Sequence, residues 1–200
     1  MTGRAIIITD MQYDFCAEGS LAVQGADDLV PGINAAMKSY SLVIATKDWH
    51  PPGHISYASS HRNAEPFSVI DTSSGMQELW PDHCTAGTRG AQLHDDLDLR
   101  KVSLILHKGM NTDLDSYSVF RENDKITPTG LHGYLHEHGV TQVDLCGVAA
   151  DVCVYFSALD ALEFGYTVTL LTELTRGVDV PPGALEKRLG VLKNKGVELA

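Results

Sequence analysis

The chain has 200 residues, and its 15 Lys and Arg against 26 Asp and Glu give a formal net charge of −11 at pH 7. This length suits one sizeable domain, and we expect a single domain over residues 1–200. An acidic surface repels phosphate backbones and anionic lipids, and no run reaches the ~20 apolar residues of a membrane span, so we expect neither nucleic acid nor membrane as a partner. The N terminus does not resemble a signal peptide, which predicts a cytoplasmic protein with four free thiols.

Short β-branched runs recur along the chain and predict buried strands. They are AIII at 5–8, SLVIAT at 41–46, VSLIL at 102–106, VTQVDLCGV at 140–148 and YTVTLL at 166–171, with the final VELA as a short sixth strand. Helical patterns lie between them at 27–40, 129–139, 151–165 and 181–196. This alternation predicts a three-layer α/β/α sandwich around a mainly parallel, six-stranded, Rossmann-like sheet.

One connection is much longer than the others and runs from about residue 48 to residue 100. Its only helical pattern is a weak one near GAQLHDDL, yet it holds both tryptophans and five of the nine histidines. Loops of this length in compact domains are usually functional or disordered, and this composition is unlike that of a disordered segment. We therefore expect an ordered binding segment or lid.

Polar side chains stand where the predicted strands stop. They are Asp10, Lys47 and Asp48, His107 and Lys108, and then Asp151 and Cys153 after Gly147. Ligand sites of parallel sheets lie outside the carboxyl ends of the strands, so an acid, a cation and a thiol converge there. A thiol nucleophile needs a base and a cationic neighbour, and Asp10 and Lys108 are open to these roles.

The segment CGVAADVCV offers two thiols. Cys146 lies inside an apolar strand, where a thiol usually packs as a small hydrophobe. Cys153 follows Asp151, a good N-cap residue, and so falls in the first helical turn, where free amides favour the thiolate. Cys153 is the candidate nucleophile, and the amides around Ala149 and Cys153 are placed to bind an oxyanion.

The segment KDWHPPGH places Asp48 and His50 two residues apart, so an extended backbone points both side chains the same way. With His83 from WPDHC they form a ligand set that suits Zn²⁺, Mn²⁺ or Fe²⁺ with open positions. His54 or Ser56, directly or through water, is open as a fourth group. We expect Cys84 to pack. The remaining histidines of the chain lack such spacing and are treated as surface residues: His61, His94, His132, His136 and His138.

Taken together, these segments resemble the nicotinamidase/pyrazinamidase branch of the isochorismatase-like cysteine hydrolases. The resemblance covers nearly the whole chain and rests on TDMQYDFCAEGSLAVQGA, TKDWHPPGHISYAS, WPDHC, HKGMNTDLDSYSVF and CGVAADVCV, which occur in the family's order. One departure is Ala150, where family members often carry Thr or Ser, so a hydroxyl beside the site is missing.

The resemblance implies a nicotinamidase that converts nicotinamide to nicotinate and ammonia through a Cys thioester, as in NAD salvage, and that also accepts pyrazinamide. By similarity, the catalytic residues are Asp10, Lys108 and Cys153, the ligands of one divalent metal, Zn²⁺ first, are Asp48, His50 and His83, and the substrate contacts are Phe15, Trp80, Tyr117 and Ala149. The Val148–Ala149 peptide is implied to be cis. A homo-oligomer is left open.

Three alternatives remain at this point. The chain could be another amidohydrolase of the same superfamily acting on a different small amide. It could also be a catalytically silent binding protein on the same fold, because folds do not fix functions. Third, it could be a zinc-storage or structural metal protein. In that case removal of the metal would unfold the chain, whereas removal of an ion that only positions a substrate would leave the fold intact.

Overall fold

The structure, a computed structural model, describes residues 3–200. Its strands are β1 (Arg4–Thr9), β2 (Val43–Asp48), β3 (Val69–Thr72), β4 (Gly75–Glu78), β5 (Leu104–Lys108), β6 (Gln142–Val148), β7 (Thr167–Arg176) and β8 (Glu198–Leu199). Six of them form one sheet in the order β5-β2-β1-β6-β7-β8, and every neighbouring pair in it is parallel. The predicted six-stranded parallel sheet is confirmed.

Helices cover both faces of this sheet. They are α1 (Leu29–Ala36), α2 (Leu131–Glu137), α3 (Cys153–Glu163) and α4 (Ala184–Asn194). Helix α1 shares one hydrophobic cluster with the long connection, while the apolar faces of α2, α3 and α4 join a second cluster on the other side. The three-layer sandwich is therefore also confirmed.

The alternation of side chains along β1 explains why it needs cover on both sides. Ile6 and Ile8 belong to the cluster of α1, whereas Ala5 and Ile7 belong to the cluster of α2, α3 and α4. Successive side chains of a strand point to opposite faces, so an unbroken apolar run can be buried only between two layers. The run AIII thus specifies a central strand, and β1 lies between β2 and β6.

The long connection is ordered but was predicted incompletely. It contains the antiparallel hairpin of β3 and β4, whose register pairs Val69 with Glu78 and which forms a separate two-stranded sheet. The weak helical pattern at 90–97 does not correspond to a helix, because these residues adopt turns and bends. Helical structure in the connection is limited to single turns at Ala58–Ser60 and Leu99–Lys101.

The register of the sheet positions the site. Asp48 at the end of β2 pairs with Lys108 at the end of β5, and Thr9 at the end of β1 pairs with Gly147 in β6. The carboxyl ends of four strands therefore meet at one edge. Within residues 3–200, no helix is both long enough and apolar enough to cross a bilayer.

Candidate active site

An acid, a cation and a thiol meet at this edge of the sheet. Asp10 directly follows β1, Lys108 ends β5 and Cys153 begins α3, and all three are buried. The Lys108 Nζ lies 3.0 Å from the Asp10 Oδ2 and 3.4 Å from the Cys153 Sγ. A carboxylate oxygen of Asp10 is within 4.8 Å of the same sulfur. The structure thus brings together the three residues that the sequence predicts to be catalytic.

Burial controls the protonation of this group. Desolvation raises the pKa of Asp10 to about 6, although the Lys108 ammonium opposes the shift. Desolvation by itself lowers the pKa of Lys108, but the carboxylates of Asp10 and Asp48 outweigh it and hold that pKa above its ordinary value. The arrangement therefore keeps a permanent cation beside a carboxylate that can exchange a proton near neutral pH.

The surroundings of Cys153 favour its thiol form over the thiolate. Burial raises its pKa well above the ordinary value, although the Lys108 ammonium acts in the opposite direction. The shift is opposite in direction to the expectation from the helix N terminus, because desolvation is the largest influence on this pKa. A neighbouring base has to remove the proton when the nucleophile acts.

Asp151 does not cap helix α3, in contrast to the sequence prediction. The N-cap position is occupied by Val152, which provides no side-chain cap. The Asp151 carboxylate instead accepts hydrogen bonds from the amides of Val178 and Asp179, at 2.9 and 2.7 Å. Asp151 thereby connects the segment after β7 to the loop that precedes Cys153, residues 149–152. The first amides of α3 are left without a capping side chain.

Two backbone amides beside the Cys153 thiol are available to a ligand, one before α3 and one at its first residue. The amide of Ala150 donates to the Arg176 carbonyl, and that of Val152 donates to the Ala149 carbonyl. Within residues 3–200, the amides of Ala149 and Cys153 have no such acceptor. The Val148–Ala149 peptide is cis, as the resemblance implies. Two free amides beside a nucleophile are the elements of an oxyanion hole.

The candidate metal ligands Asp48, His50 and His83 are buried, and their ligand atoms all lie within 4.8 Å of one another. The Nδ1 atoms of the two histidines face the carbonyls of Gly109 and Pro81, at 2.9 and 2.8 Å. Each Nδ1 therefore carries the proton and leaves Nε2 with a free lone pair. Burial lowers the pKa of both histidines to about 4, so both rings are neutral. These residues fit a divalent metal ion.

His54 lies beside this group but is set up as a hydrogen-bond donor. Its ring stacks on His50 with the centroids 4.1 Å apart, and its Nδ1 accepts a hydrogen bond from the amide of Ser56. The proton is therefore on Nε2, which is buried and has no partner within residues 3–200. A protonated Nε2 cannot bind a metal directly but can donate to water. The Ser56 hydroxyl is already 2.7 Å from the His54 Nδ1.

A second group of ligand-type side chains does not fit a metal. Cys16, Asp27 and His94 also bring their ligand atoms within 4.8 Å of one another. However, the His94 Nδ1 accepts a 3.2 Å hydrogen bond from the amide of Asp96, so its Nε2 carries the proton and has no lone pair for an ion. In this group the Nε2–H of His94 faces the Asp27 carboxylate at 3.6 Å, beside the buried thiol of Cys16.

A pocket with mostly apolar walls lies next to Cys153. All four predicted substrate contacts line it, namely Phe15, Trp80, Tyr117 and Ala149. The sequence did not identify four further lining residues, which are Leu21, Asp115, Val152 and Val178. Because the apolar ones lack reactive atoms and Asp115 lies inside a loop, no sequence pattern marked them. Ala150 is not among the lining residues, so its missing hydroxyl does not face this cavity.

The sequence analysis also overlooked Gln12. Its side chain is fully buried, and its Nε2 donates to the carbonyls of Asp48 and Ala91, at 2.7 and 3.0 Å. Its Oε1 accepts from the amide of Asp48 at 2.7 Å. The side-chain amide of Gln12 thus binds both the backbone N–H and the carbonyl of Asp48, which is a candidate metal ligand. A polar residue two positions after the strand-end acid is a weak signal that only the structure resolves.

The remaining cysteines and histidines lie away from this cavity. Cys84 and Cys146 are buried, in agreement with the predicted packing role. His136 and His138 are exposed, whereas the rings of His61 and His132 are half-buried and hydrogen-bonded to the Ile55 carbonyl and the Tyr166 hydroxyl. Treating these last two as simple surface residues was therefore wrong.

Comparison with known proteins agrees with this geometry. Residues 4–186 match the isochorismatase domain family. A nicotinamidase of Acinetobacter baylyi is 41% identical over 194 residues, which are 97% of this chain and 90% of the relative. The structure of an Acinetobacter baumanii nicotinamidase/pyrazinamidase superposes with a TM-score of 0.96 at 40% identity, covering 98% of this chain and 95% of the other.

A pyrazinamidase of Pyrococcus horikoshii, solved in complex with zinc, has a TM-score of 0.77 at 32% identity and covers 99% of this chain and 98% of its own. Family match, identity and coverage all extend over the segments that hold Asp10, Lys108 and Cys153. The chain belongs to the isochorismatase family and, within it, to the nicotinamidase/pyrazinamidase branch of amidohydrolases.

Proposed function

We propose that this chain hydrolyses nicotinamide to nicotinate and ammonia and that it also accepts pyrazinamide. The observation that carries the proposal is the contact of Lys108 with both Asp10 and Cys153, of which Cys153 lines the cavity. A mostly apolar pocket with aromatic walls suits a single small aromatic amide. The nicotinamidases of the same branch support the choice of substrate.

The substrate ring lies between the aromatic walls of the cavity, formed by Phe15, Trp80 and Tyr117. The Trp80 ring is buried and meets Tyr117 edge-on with the centroids 6.5 Å apart, which gives the cavity a rigid aromatic side. Asp48, His50 and His83 would hold one divalent ion, for which we propose Zn²⁺. When bound, this ion supplies a Lewis-acidic position for the ring nitrogen and so orients the ring.

Acylation begins with proton transfer from the Cys153 Sγ to the Asp10 carboxylate. The thiolate is stabilised by the Lys108 ammonium 3.4 Å away and attacks the carboxamide carbon. The amides of Ala149 and Cys153 donate to the oxygen that becomes negative in the tetrahedral intermediate. Asp10 then gives its proton to the departing nitrogen, and ammonia leaves a Cys153 thioester.

Deacylation uses the same groups. Asp10 takes a proton from a water molecule, whose oxygen attacks the thioester carbon. Collapse of the second tetrahedral intermediate breaks the C–S bond, Asp10 returns the proton to the Cys153 sulfur, and the product leaves and ionises to nicotinate. A pKa of about 6 suits this double role, because the carboxylate is mostly ionised at neutral pH yet basic enough to accept a proton.

A catalytically silent protein is the alternative that the geometry supports least. Such a protein has no need for a buried ammonium between two carboxylates and a thiol, since burying these charges is costly unless they are used or fully paired. Within the family, an amidohydrolase for another small amide remains the second candidate, because the cavity walls are mostly apolar and select chiefly by size.

Ammonia release from nicotinamide, measured before and after chelation and after re-addition of Zn²⁺, Mn²⁺ or Fe²⁺, tests the proposal. We expect chelation to abolish turnover, one metal to restore it, and the far-UV circular dichroism to stay unchanged throughout. Loss of the dichroism signal on chelation would instead indicate a structural metal. Release from pyrazinamide but not from nicotinamide, or from neither, would overturn the substrate assignment.

Residues 1–200 are proposed to act as one domain, which is supported by the family match over 4–186 and by a sheet whose strands come from Arg4 to Leu199. The cytoplasmic location and the lack of a nucleic-acid or membrane partner stay predictions from composition. A homo-oligomer stays open.

A further inference from the structure

The hydroxyl of Thr46 is bonded to Asp10 twice. Its Oγ1 donates a 2.5 Å hydrogen bond to the Asp10 Oδ1 and accepts a 3.2 Å hydrogen bond from the Asp10 amide. Thr46 is fully buried within β2, and Asp10 is held at a left-handed φ of 51°. Because Thr46 binds both the backbone amide and the carboxylate of Asp10, it fixes the rotamer of the Asp10 side chain.

The two oxygens of Asp10 are consequently not equivalent. Oδ1 is occupied by the Thr46 hydroxyl, whereas Oδ2 is buried, accepts no hydrogen bond within residues 3–200, and lies 3.0 Å from the Lys108 ammonium. Oδ2 is therefore paired in charge with Lys108 but has, in the part of the chain that the structure describes, no hydrogen-bond donor of its own. Oδ2 is the oxygen that remains free to exchange a proton.

We propose that Thr46 is a positioning residue that reserves the Asp10 Oδ2 for proton exchange with Cys153. This inference rests on the proposed function. In the first step the S–H bond of Cys153 breaks and an O–H bond forms on Oδ2, while Oδ1 keeps the Thr46 hydrogen bond. The proton on Oδ2 then passes to the leaving nitrogen. Without the hydroxyl, the carboxylate can rotate and present either oxygen, or neither, to the sulfur.

The chain provides a matched control one residue before Asp10. Thr9 is also fully buried at the end of a strand, but its Oγ1 has no hydrogen-bond partner within residues 3–200. Replacing Thr by Val keeps the shape and removes only the hydroxyl. Thr9→Val and Thr46→Val therefore make the same chemical change at neighbouring buried positions, and only Thr46 touches the carboxylate.

The test compares kcat and KM for nicotinamide in the metal-loaded wild type, Thr46→Val, Thr46→Ser and Thr9→Val. We expect Thr46→Val to lower kcat about 10-fold to 100-fold, with KM within about threefold, because positioning acts on the proton-transfer step and not on binding of the ring. Thr46→Ser should restore kcat to within about threefold of the wild type. Thr9→Val should match the wild type.

The rate at which iodoacetamide alkylates Cys153 gives a second readout that needs no substrate. It should fall in Thr46→Val and recover in Thr46→Ser, and thermal melts show which variants are folded. If Thr46→Val does not fold, Thr46→Ala takes its place in both assays. Full activity and alkylation in Thr46→Val, or equal losses in the Ser and Val variants, would overturn the role of the hydroxyl. A wild type that alkylates normally but releases no ammonia would instead refute the proposed substrate.

Discussion

The Lys108 Nζ donates a 2.5 Å hydrogen bond to the Asp48 Oδ1 across the β5–β2 ladder. Asp48 also points toward His50, whose Nε2 is 3.8 Å from the other carboxylate oxygen. One carboxylate therefore belongs to both the candidate metal group and the cation beside the nucleophile, so the two halves of the site share a charge pair.

The first prediction concerns this shared charge. Lys108→Met leaves the buried carboxylates of Asp10 and Asp48 without their cation, and we expect a loss of about 3–5 kcal/mol in the free energy of unfolding together with loss of turnover. Urea denaturation measures the first and ammonia release the second. Lys38→Met, at an exposed position, should change neither.

A double-mutant cycle separates charge from packing at the same place. Adding Asp10→Asn to Lys108→Met removes one of the two uncompensated charges, so the double variant should be more stable than the sum of the single losses predicts. Additive losses would show that the charges of Lys108 and Asp10 do not stabilise each other.

The second prediction distinguishes the two thiols of CGVAADVCV. Cys153→Ala should lower kcat at least about 1,000-fold, because no other group in the cavity can form the thioester. Cys146→Ala, in the middle of β6, should keep kcat and lose about 1 kcal/mol of stability from the small void. Ammonia release and thermal melts check both, and comparable activity in the two variants would exclude Cys153 as the nucleophile.

The third prediction is a pH profile. Burial raises the pKa of Asp10 to about 6, and the carboxylate form is the one that accepts the Cys153 proton. As pH falls through this value the base becomes protonated, so kcat/KM should fall about tenfold per unit below about pH 6 and level off above it. Initial rates at subsaturating nicotinamide give the profile. A rate that is constant down to pH 5 would contradict a base with this pKa.

The fourth prediction concerns Gly109, which has a φ of +64°. A Cβ at this position would stand 2.5 Å from the His50 Cε1 and 2.7 Å from its Nδ1. Gly109→Ala should therefore displace the ring and weaken Zn²⁺ binding about 10-fold to 100-fold, measured by competition with a chromophoric chelator. Turnover at limiting Zn²⁺ should fall in parallel.

Gly133 is the matched control. It lies inside α2, and a Cβ there meets no atom within 4 Å. Gly133→Ala should leave Zn²⁺ binding unchanged and stabilise the helix by about 0.5–1 kcal/mol. Equal Zn²⁺ affinities in the two variants would show that the backbone at residue 109 shifts to accommodate the methyl group and leaves the His50 ring in place.

The parts of this molecule that the sequence predicts are those with a periodic or chemical signature. The apolar runs predict the strands because both faces of the sheet are buried. The strand-end positions predict Asp10 and Lys108 because parallel strands bring their carboxyl ends to one edge. The rule needs no knowledge of which strands are neighbours.

The parts that escape sequence reasoning depend on contacts between distant segments. Asp151 has the residue type of an N-cap, yet its carboxylate binds amides of the segment after β7, and no local pattern marks that choice. The protonation of Cys153 is another example, because its pKa is set by how deeply neighbouring segments bury it. Gln12 and Thr46 are polar residues in buried positions whose partners only the fold supplies.

The central pairing of β1 with β6 also has a consequence for biogenesis. Strand β1 leaves the ribosome well before β6 and the start of α3, because the elements β2 to β5 lie between them in the chain. Contacts so distant in sequence form late and slowly in folding. Asp10 after β1 and Cys153 at the start of α3 therefore stay apart in the nascent chain. The thiol can react with the help of this base only after β6 has paired with β1.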